Sequence, residues 1–167
     1  MVSIEPLTSF SPQTLLRSAQ ALLLAYGDFL RSAGDHDGFR YDRLEQEARD
    51  LPAAFAANNG ELLVAVSEGL TVGCIAYRAL TASIDENCCE IKRLFVRPEH
   101  RACGIGRSLV MAALDHARAN GYRFAYLDTE PGAMPVAHHT YLALGFVEYD
   151  RRSSATGPVS VLRKPLI

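Results

Sequence analysis

The chain of 167 residues has a length that suits one domain with a substantial hydrophobic core. Apolar residues make up 49% of it and charged residues 22%, which indicates a globular protein. A formal net charge of −2 gives no general attraction to nucleic acid, and no apolar run reaches the roughly 18 residues of a membrane span. The N-terminus lacks the order of a signal peptide, and four cysteines without CxxC spacing favour free thiols over a zinc site. We therefore expect a cytoplasmic protein without nucleic-acid, membrane or metal partners.

Helix and strand signals follow one another along the chain. Ser11 and Pro12 have the residue types of a helix N-cap and a first helical position, and apolar residues at helical spacing follow to Leu30. Asp42 and Glu45 are spaced as a capping box for a second helix. In chain order the sequence predicts strand 2–7, helix 12–30, helix 42–51, strands 62–66, 71–77 and 90–96, helix 104–120, strand 122–128, helix 136–144, and strands 146–149 and 159–162.

This order of elements predicts an α/β fold whose mixed sheet is covered by helices, in a single domain over residues 1–167. Antiparallel hairpins come first, and a strand, a helix and a second strand then form a unit that must be parallel and right-handed. A Rossmann fold is excluded, because the glycine motif follows the fourth predicted strand. The G-x-G-x-x-G frame also fails, since Gly106 is followed by Arg107, Ser108 and Leu109.

The stretch 88–119 carries the clearest functional signal. A predicted strand is followed by a short polar loop, and Gly104 and Gly106 then begin a helix. The first N–H groups of a helix have no intrahelical acceptor, and the helix dipole adds positive charge there. Glycines let an anion approach that backbone closely, and Arg101 and Arg107 flank the turn with charges that pair with phosphate. The stretch therefore predicts a phosphate site.

Two sequence blocks resemble the GNAT superfamily of acyl-CoA-dependent N-acetyltransferases. Residues 101–106, RACGIG, are similar to the family's pyrophosphate loop, Arg/Gln-x-x-Gly-x-Gly/Ala. Residues 137–146, AHHTYLALGF, are similar to a later helix, A-x-x-x-Y-x-x-x-G-F. The chain departs from the family at Ala102, where Gly is frequent, and at Met134, where Asn is frequent. The two blocks stand in the family's order, and the predicted elements agree along nearly the whole chain.

The resemblance implies a GNAT-like fold, with a mostly antiparallel sheet, a central parallel pair and helices on both faces. It also implies acetyl-CoA as co-substrate, with its pantetheine arm along the strand before the loop. That position requires this strand to part from the strand at 122–129. The residues implied to bind acetyl-CoA are Leu94, Phe95, Val96, Arg101, Ala102, Cys103, Gly104, Ile105, Gly106, Arg107, Thr129 and His138.

Two residues are candidates for proton transfer. Tyr141 matches the family tyrosine that protonates the departing thiolate, and its alternative role is that of a core aromatic residue. Glu90 opens the central strand, where relatives often place a carboxylate base. Its alternative role is an ion pair with Lys92, which lies two residues further on the same face of the strand.

The acceptor is less well defined by the sequence. Residues 34–39, with Asp35, His36 and Asp37, lie where relatives place a substrate wall, and they suit a cationic amine unless they form a solvated turn. The resemblance implies a small-molecule or amino-acid-like amine as acceptor. Protein or peptide acetylation and a catalytically silent acyl-CoA-binding module are the alternatives. A homodimer through the last strands is common among relatives, and residues 145–167 leave the oligomeric state open.

Overall fold

A computed structural model describes residues 1–33, 39–81, 85–154 and 157–167, without the side chains of residues 39–41. Asp35, His36 and Asp37, predicted as an acidic substrate wall, lie outside the described residues. Within the described ranges, no helix is long and apolar enough to span a membrane. The strands are β1 (Val2–Pro6), β2 (Glu61–Ser67), β3 (Leu70–Ala79), β4 (Cys88–Val96), β5 (Phe124–Thr129), β6 (Val147–Ser154) and β7 (Gly157–Pro165). The helices are α1 (Gln13–Ser32), α2 (Phe39–Arg49), α3 (Ala53–Ala56), α4 (Ile105–Ala119) and α5 (Pro135–Ala143), with a 3₁₀ turn at Pro98–His100.

The seven strands form one mixed sheet in the order β1-β2-β3-β4-β5-β7-β6. Neighbouring strands are antiparallel except at the centre, where β4 and β5 run parallel. The chain reaches β5 from β4 through α4, because a parallel pair needs a long crossover. The mixed sheet with a central parallel pair is confirmed.

The helices cover both faces of the sheet, as the resemblance implies. Strand β2 shows why: Leu62 and Val64 point to one face, and Leu63 and Ala65 to the other. One hydrophobic core packs β2 and β3 against α1, α2 and α3. The other packs the sheet against α4, and it includes Tyr141 from α5. The site therefore has a layer of helices on each side of the central strands.

Two predicted helix starts are wrong. Helix α1 begins at Gln13 with Pro12 as its N-cap residue, and the Ser11 hydroxyl accepts a hydrogen bond from the Thr8 N–H at 3.0 Å. Ser11 therefore closes the preceding turn and does not cap the helix. Helix α2 begins at Phe39, which places Asp42 in its first turn and not at a cap. An acidic residue in the first turn still faces the positive end of the helix dipole.

Candidate active site

The central strands β4 and β5 separate toward their carboxyl ends. Residues 88–90 of β4 pair with residues 124–126 of β5, and the described chain shows no further pair between the two strands. Strand β5 nevertheless continues to Thr129 along its other neighbour, β7. A gap therefore opens between the second half of β4 and the end of β5. This is the separation that the resemblance requires for a pantetheine arm.

A β-bulge lies in β4 beside this gap. Between Lys92 and Phe95 the register against β3 shifts by one residue, so that Arg93 and Leu94 together oppose one residue of β3. Arg93 takes a φ of 62°, in the left-handed region. An extra residue reverses the faces of the side chains that follow it. As a result Leu94 and Val96 pack toward α4, whereas Phe95 packs in the core beneath α1.

The loop after β4 presents backbone donors at the start of α4. The Ser108 N–H bonds the Gly104 carbonyl at 3.0 Å, which leaves the N–H groups of residues 104–107 without intrahelical acceptors. Gly104 has a φ of 80°, and the exposed Ala102 has a φ of 61°. Ile105 is buried in the core and fixes the first turn of the helix.

The two loop glycines are not needed for close packing within the protein. A Cβ on Gly104 would have no neighbour within 4 Å, and a Cβ on Gly106 would only touch a Val96 methyl at 3.9 Å. Gly104 is explained by its left-handed backbone, which costs a side-chain-bearing residue more. Gly106 has neither a positive φ nor a steric conflict. The space beside it is therefore open to a bound group.

The two loop arginines are placed differently. Arg101 donates from Nε to the Val96 carbonyl at 2.9 Å, and its guanidinium lies 4.8 Å from the centre of the Phe29 ring. These contacts fold the loop back onto the end of β4, so Arg101 positions the loop. Arg107 is exposed and has no hydrogen bond or ion pair among the described residues. The thiol of Cys103 is exposed and lies 3.5 Å from the Arg101 carbonyl oxygen.

Tyr141 lies on α5 with only 7% of its surface exposed. Its ring meets the Phe146 ring edge to face, with 5.8 Å between the ring centres. Burial raises the pKa of the Tyr141 phenol well above 10, and the nearby Tyr26 phenol raises it further. Tyr26 belongs to the core on the α1 side of the sheet, and Tyr141 to the core on the α4 side. Tyr141 is therefore a buried core residue that keeps its proton at neutral pH.

Glu90 forms an ion pair, but with a different partner from the predicted one. Its Oε2 lies 3.1 Å from Nε of Arg78, the residue directly opposite on β3. Lys92, the predicted partner, lies opposite Ala76 instead. Glu90 Oε2 is therefore held by a cross-strand arginine, and the side chain keeps 29% of its surface exposed.

Two further cofactor-binding candidates are Thr129 on β5 and His138 on α5. Thr129 is buried at the end of β5, opposite Ser160 of β7. His138 is half-buried on α5, and its Nδ1 is buried without a hydrogen-bond partner among the described residues. His139, next to it, is exposed. The structure thus places Thr129 at the end of β5, beyond its pairing with β4, and packs Tyr141 of α5 into the core beneath α4.

Sequence reasoning missed the ion pair between Arg93 and Glu47. Arg93 donates from Nε and Nη2 to the two carboxylate oxygens of Glu47 at 2.8 and 3.0 Å, and both side chains are nearly buried. This bidentate contact ties the bulge of β4 to α2. No motif signals it, because 46 residues separate the partners and the bulge decides where Arg93 points.

Comparisons with known proteins agree with this geometry. The acetyltransferase (GNAT) family model matches residues 25–146. An uncharacterized N-acetyltransferase of Schizosaccharomyces pombe is 32% identical over 107 residues, covering 64% of this chain and 63% of that protein. The N-acetylaspartate synthetase of Danio rerio is 30% identical over 124 residues, covering 74% of this chain and 42% of that protein. The crystal structure of a GNAT family acetyltransferase from Elizabethkingia anophelis with acetyl-CoA bound has a TM-score of 0.65 at 18% identity, covering 98% of this chain and 97% of that one.

The chain belongs to the GNAT acetyltransferase family, since the family model matches most of its length. It spans less than two thirds of the length of both curated relatives. The solved structure, at its low identity, shows that the fold is shared.

Proposed function

We propose that the protein transfers an acetyl group from acetyl-CoA to the primary amine of a small, amino-acid-like acceptor in a ternary complex. The observation that carries this proposal is the gap between β4 and β5, which opens beside the unpaired N–H groups at the start of α4. A gap in a sheet exposes strand edges that an extended molecule can pair with. A helix start beside it suits the phosphates of the same molecule.

The chemistry of the donor set supports coenzyme A as the carrier. The N–H groups of residues 104–107 and the unpaired Arg107 supply hydrogen bonds and positive charge for a pyrophosphate. The helix dipole adds about 0.3–1 kcal/mol at such a position, so the individual donors must supply most of the affinity. Leu94, Phe95 and Val96 form the strand edge along which the pantetheine arm would lie. Thr129 and His138 complete the assigned pocket from the opposite side.

The transfer requires a neutral amine, a polarised thioester carbonyl and a stabilised leaving thiolate. The amine lone pair forms the new C–N bond, the C–S bond breaks, and the amine gives up one proton as the sulfur gains one. We assign the protonation of the leaving sulfur to Tyr141. Burial keeps its phenol protonated and able to donate a hydrogen bond to the developing thiolate. Glu90, directly or through water, is the assigned acceptor of the amine proton. Strand N–H groups at the gap would stabilise the oxyanion.

One observation supports an amino-acid-like acceptor, and another supports a cytoplasmic location. One relative carries the name N-acetylaspartate synthetase, and that name indicates an acetylated amino acid as the product of that protein. The four cysteines are free, and the adjacent Cys88 and Cys89 are buried as thiols, which suits a reducing compartment. Protein acetylation and a silent acyl-CoA-binding module remain the competing outcomes of the test below.

The test measures thiol release from acetyl-CoA across a panel of amines. The panel contains free amino acids, amino-acid amides, polyamines, an aminoglycoside and lysine-containing peptides. We expect turnover with one class of small amine and none with the peptides. Turnover restricted to peptides would replace the small acceptor with a protein.

Alkylation of Cys103 reports acetyl-CoA binding without turnover. The exposed Cys103 thiol lies in the loop that is assigned to the pyrophosphate, whereas the other three cysteines are buried. We expect acetyl-CoA to slow the labelling of Cys103 by a maleimide. Protection of Cys103 with no thiol release on any amine would favour the silent module. Equal labelling with and without acetyl-CoA would contradict the assigned loop.

A further inference from the structure

A row of polar residues crosses the sheet on the face away from α4. Arg78, Glu90, Tyr126 and Arg163 are successive Cα partners on β3, β4, β5 and β7, so their side chains share that face. Lys92 is the next residue of β4 on the same face. It is also the first one beyond the point where β4 and β5 stop pairing. Lys92 therefore borders the gap directly.

Every arginine near this row is neutralised by a carboxylate, and Lys92 is not. The pairs, with their shortest N–O distances, are Arg78–Glu90 (3.1 Å), Arg93–Glu47 (2.8 Å) and Arg163–Asp85 (2.8 Å). Within the part of the chain that the structure describes, Lys92 has neither an ion pair nor a hydrogen bond. Three of these four cations thus have a carboxylate within 3.1 Å, and Lys92 has none. Asp128, two residues beyond Tyr126 on the same face, lies 3.8 Å from Arg152.

The surroundings of Lys92 disfavour its own charge. Its side chain is half-buried, and burial is the main cause that lowers its pKa to about 8. The charges of Arg93 and Arg78 lower the pKa as well, and Glu90 and Glu47 only partly oppose them. A cation in this situation is stabilised when an anion arrives beside it. The free protein therefore leaves a position for a negative group at the edge of the gap.

We propose that Lys92 binds a carboxylate of the acceptor, so that the acceptor is an amine carrying its own carboxylate a few bonds away. This inference rests on the acetyl transfer proposed above. Because Lys92 borders the gap assigned to the thioester, the reacting amine and the carboxylate must both reach this one place. A free amino acid satisfies that condition, whereas a polyamine would bring a second cation toward Lys92.

The test compares acceptors that differ in one charge, a free amino acid and its carboxamide, by thiol release with acetyl-CoA. We expect Lys92→Met to lower kcat/KM for the amino acid about 10- to 100-fold, mainly through KM, because a charge-assisted hydrogen bond is lost. The carboxamide should change by less than about threefold, since it presents no charge to the ammonium. Lys92→Arg is expected to restore part of the preference for the amino acid, because it keeps the positive charge.

Lys164→Met is the matched control. The chain contains two lysines, Lys92 and Lys164. Lys164 is the Cα partner of Ala125, which packs in the core beneath α4, so Lys164 lies on the opposite face of the sheet. The control variant should leave both acceptors unchanged. Reductive methylation gives a readout without turnover, in which the amino acid should protect Lys92 and leave Lys164 reactive.

The other outcomes separate this inference from the proposed function. An equal fall in kcat with both acceptors would assign Lys92 to proton transfer and overturn the carboxylate site. A wild-type preference for the carboxamide would overturn it as well. No thiol release with any amine, together with protection of Lys92 by amino acids, would contradict the acetyl transfer and leave the carboxylate site standing.

Discussion

The two ends of the β4–β5 pair are built in opposite ways. At the end where the strands begin, side chains close the sheet with hydrogen bonds. The Tyr77 hydroxyl donates to Glu61 at 2.9 Å, His116 Nδ1 lies 2.8 Å from the same carboxylate, and the Asn120 amide donates to the Tyr77 hydroxyl. The Tyr122 hydroxyl donates to the Asn59 carbonyl at 2.7 Å. We call this group the closed end; its residues are Asn59, Glu61, Tyr77, His116, Asn120 and Tyr122.

At the other end, polar groups are left without partners in the described chain. They are the N–H groups of residues 104–107, the Lys92 ammonium and the Nδ1 of His138. Buried or half-buried polar side chains usually have partners, so Lys92 and His138 require an explanation. A bound substrate between β4 and β5 would supply the missing partners.

The cavity and the candidate active site lie at opposite ends of the β4–β5 pair. A cavity of about 510 Å³ lies at the closed end, bordered by Glu61, Asn120 and Tyr122 among others. The polar side chains of these three residues already bond within the protein. The gap at the open end offers unpaired donors instead. We therefore expect substitutions at the closed end to lower stability and most substitutions at the open end to lower activity.

The largest effect is expected from Gly60→Ala, between Asn59 and Glu61 of the closed end. A Cβ there would lie 1.9 Å from the Tyr77 carbonyl oxygen and 2.8 Å from the Arg78 Cα, both of which are backbone atoms of β3. We expect a loss of about 3 kcal/mol or more in the free energy of unfolding, measured with urea. Gly132→Ala is the control, because a Cβ there has no neighbour within 4 Å. An unchanged urea midpoint for Gly60→Ala would contradict the closed packing.

The exception at the open end is the ion pair between Arg93 and Glu47. Glu47→Leu leaves the nearly buried Arg93 guanidinium unpaired, which should cost about 3 kcal/mol of unfolding free energy. The double variant with Arg93→Met should recover most of that loss, because no unpaired charge remains. A double-mutant cycle by urea unfolding measures the coupling. The exposed Asp115→Ala, which breaks a surface pair with Arg118, should change stability by less than about 1 kcal/mol. A loss in the double variant equal to the sum of the two single losses would show no coupling and would contradict the ion pair.

A pair of identical substitutions distinguishes the two ends directly. Tyr141→Phe should lower kcat by about 100-fold, because the proton for the leaving thiolate is lost. Since burial raises the pKa of Tyr141 well above 10, the loss should be the same from about pH 6 to pH 9. Tyr122→Phe, at the closed end, should leave kcat unchanged and lower the unfolding free energy by about 1 kcal/mol. The measurements are steady-state thiol release and urea unfolding, and an unchanged kcat in Tyr141→Phe would remove the general-acid assignment.

The sequence predicted the mixed sheet and the order of elements except the four-residue α3, because those depend on local apolar patterns and turn residues. It located the glycine loop for the same reason, since residues 101–106 are contiguous. Strand β6 was predicted as 146–149 but runs from Val147 to Ser154. All eight of its residues are exposed, so no alternation of buried and exposed residues marks its length.

The ion pairs around the gap could not be predicted from the sequence, because they join residues that are far apart in the chain. The bulge at Arg93 depends on the register against β3, and it decides that Arg93 points toward Glu47 on α2. Glu90 was given Lys92 as its alternative partner because the two share a strand face. The residue opposite, Arg78, forms that pair instead, and Lys92 is left unpaired. Cross-strand register therefore explains what the sequence could not.

The smallest effect is expected in the loop, from Ala102→Gly. Ala102 has a φ of 61°, a left-handed conformation that costs a non-glycine residue about 1–2 kcal/mol. Glycine removes that cost but loses about 0.4–1 kcal/mol through the greater freedom of the unfolded chain. We expect a net gain of about 0.5 kcal/mol in unfolding free energy.

Ala133→Gly is the control for this last comparison. Ala133 is also exposed and in a turn, but its φ is not positive, so glycine there should only destabilise. Opposite signs in the two variants would show that the loop backbone is strained in the free protein. Because the same loop is assigned to the pyrophosphate, maleimide protection of Cys103 by acetyl-CoA should persist in Ala102→Gly. A destabilised Ala102→Gly would mean that the loop adopts another backbone conformation in solution.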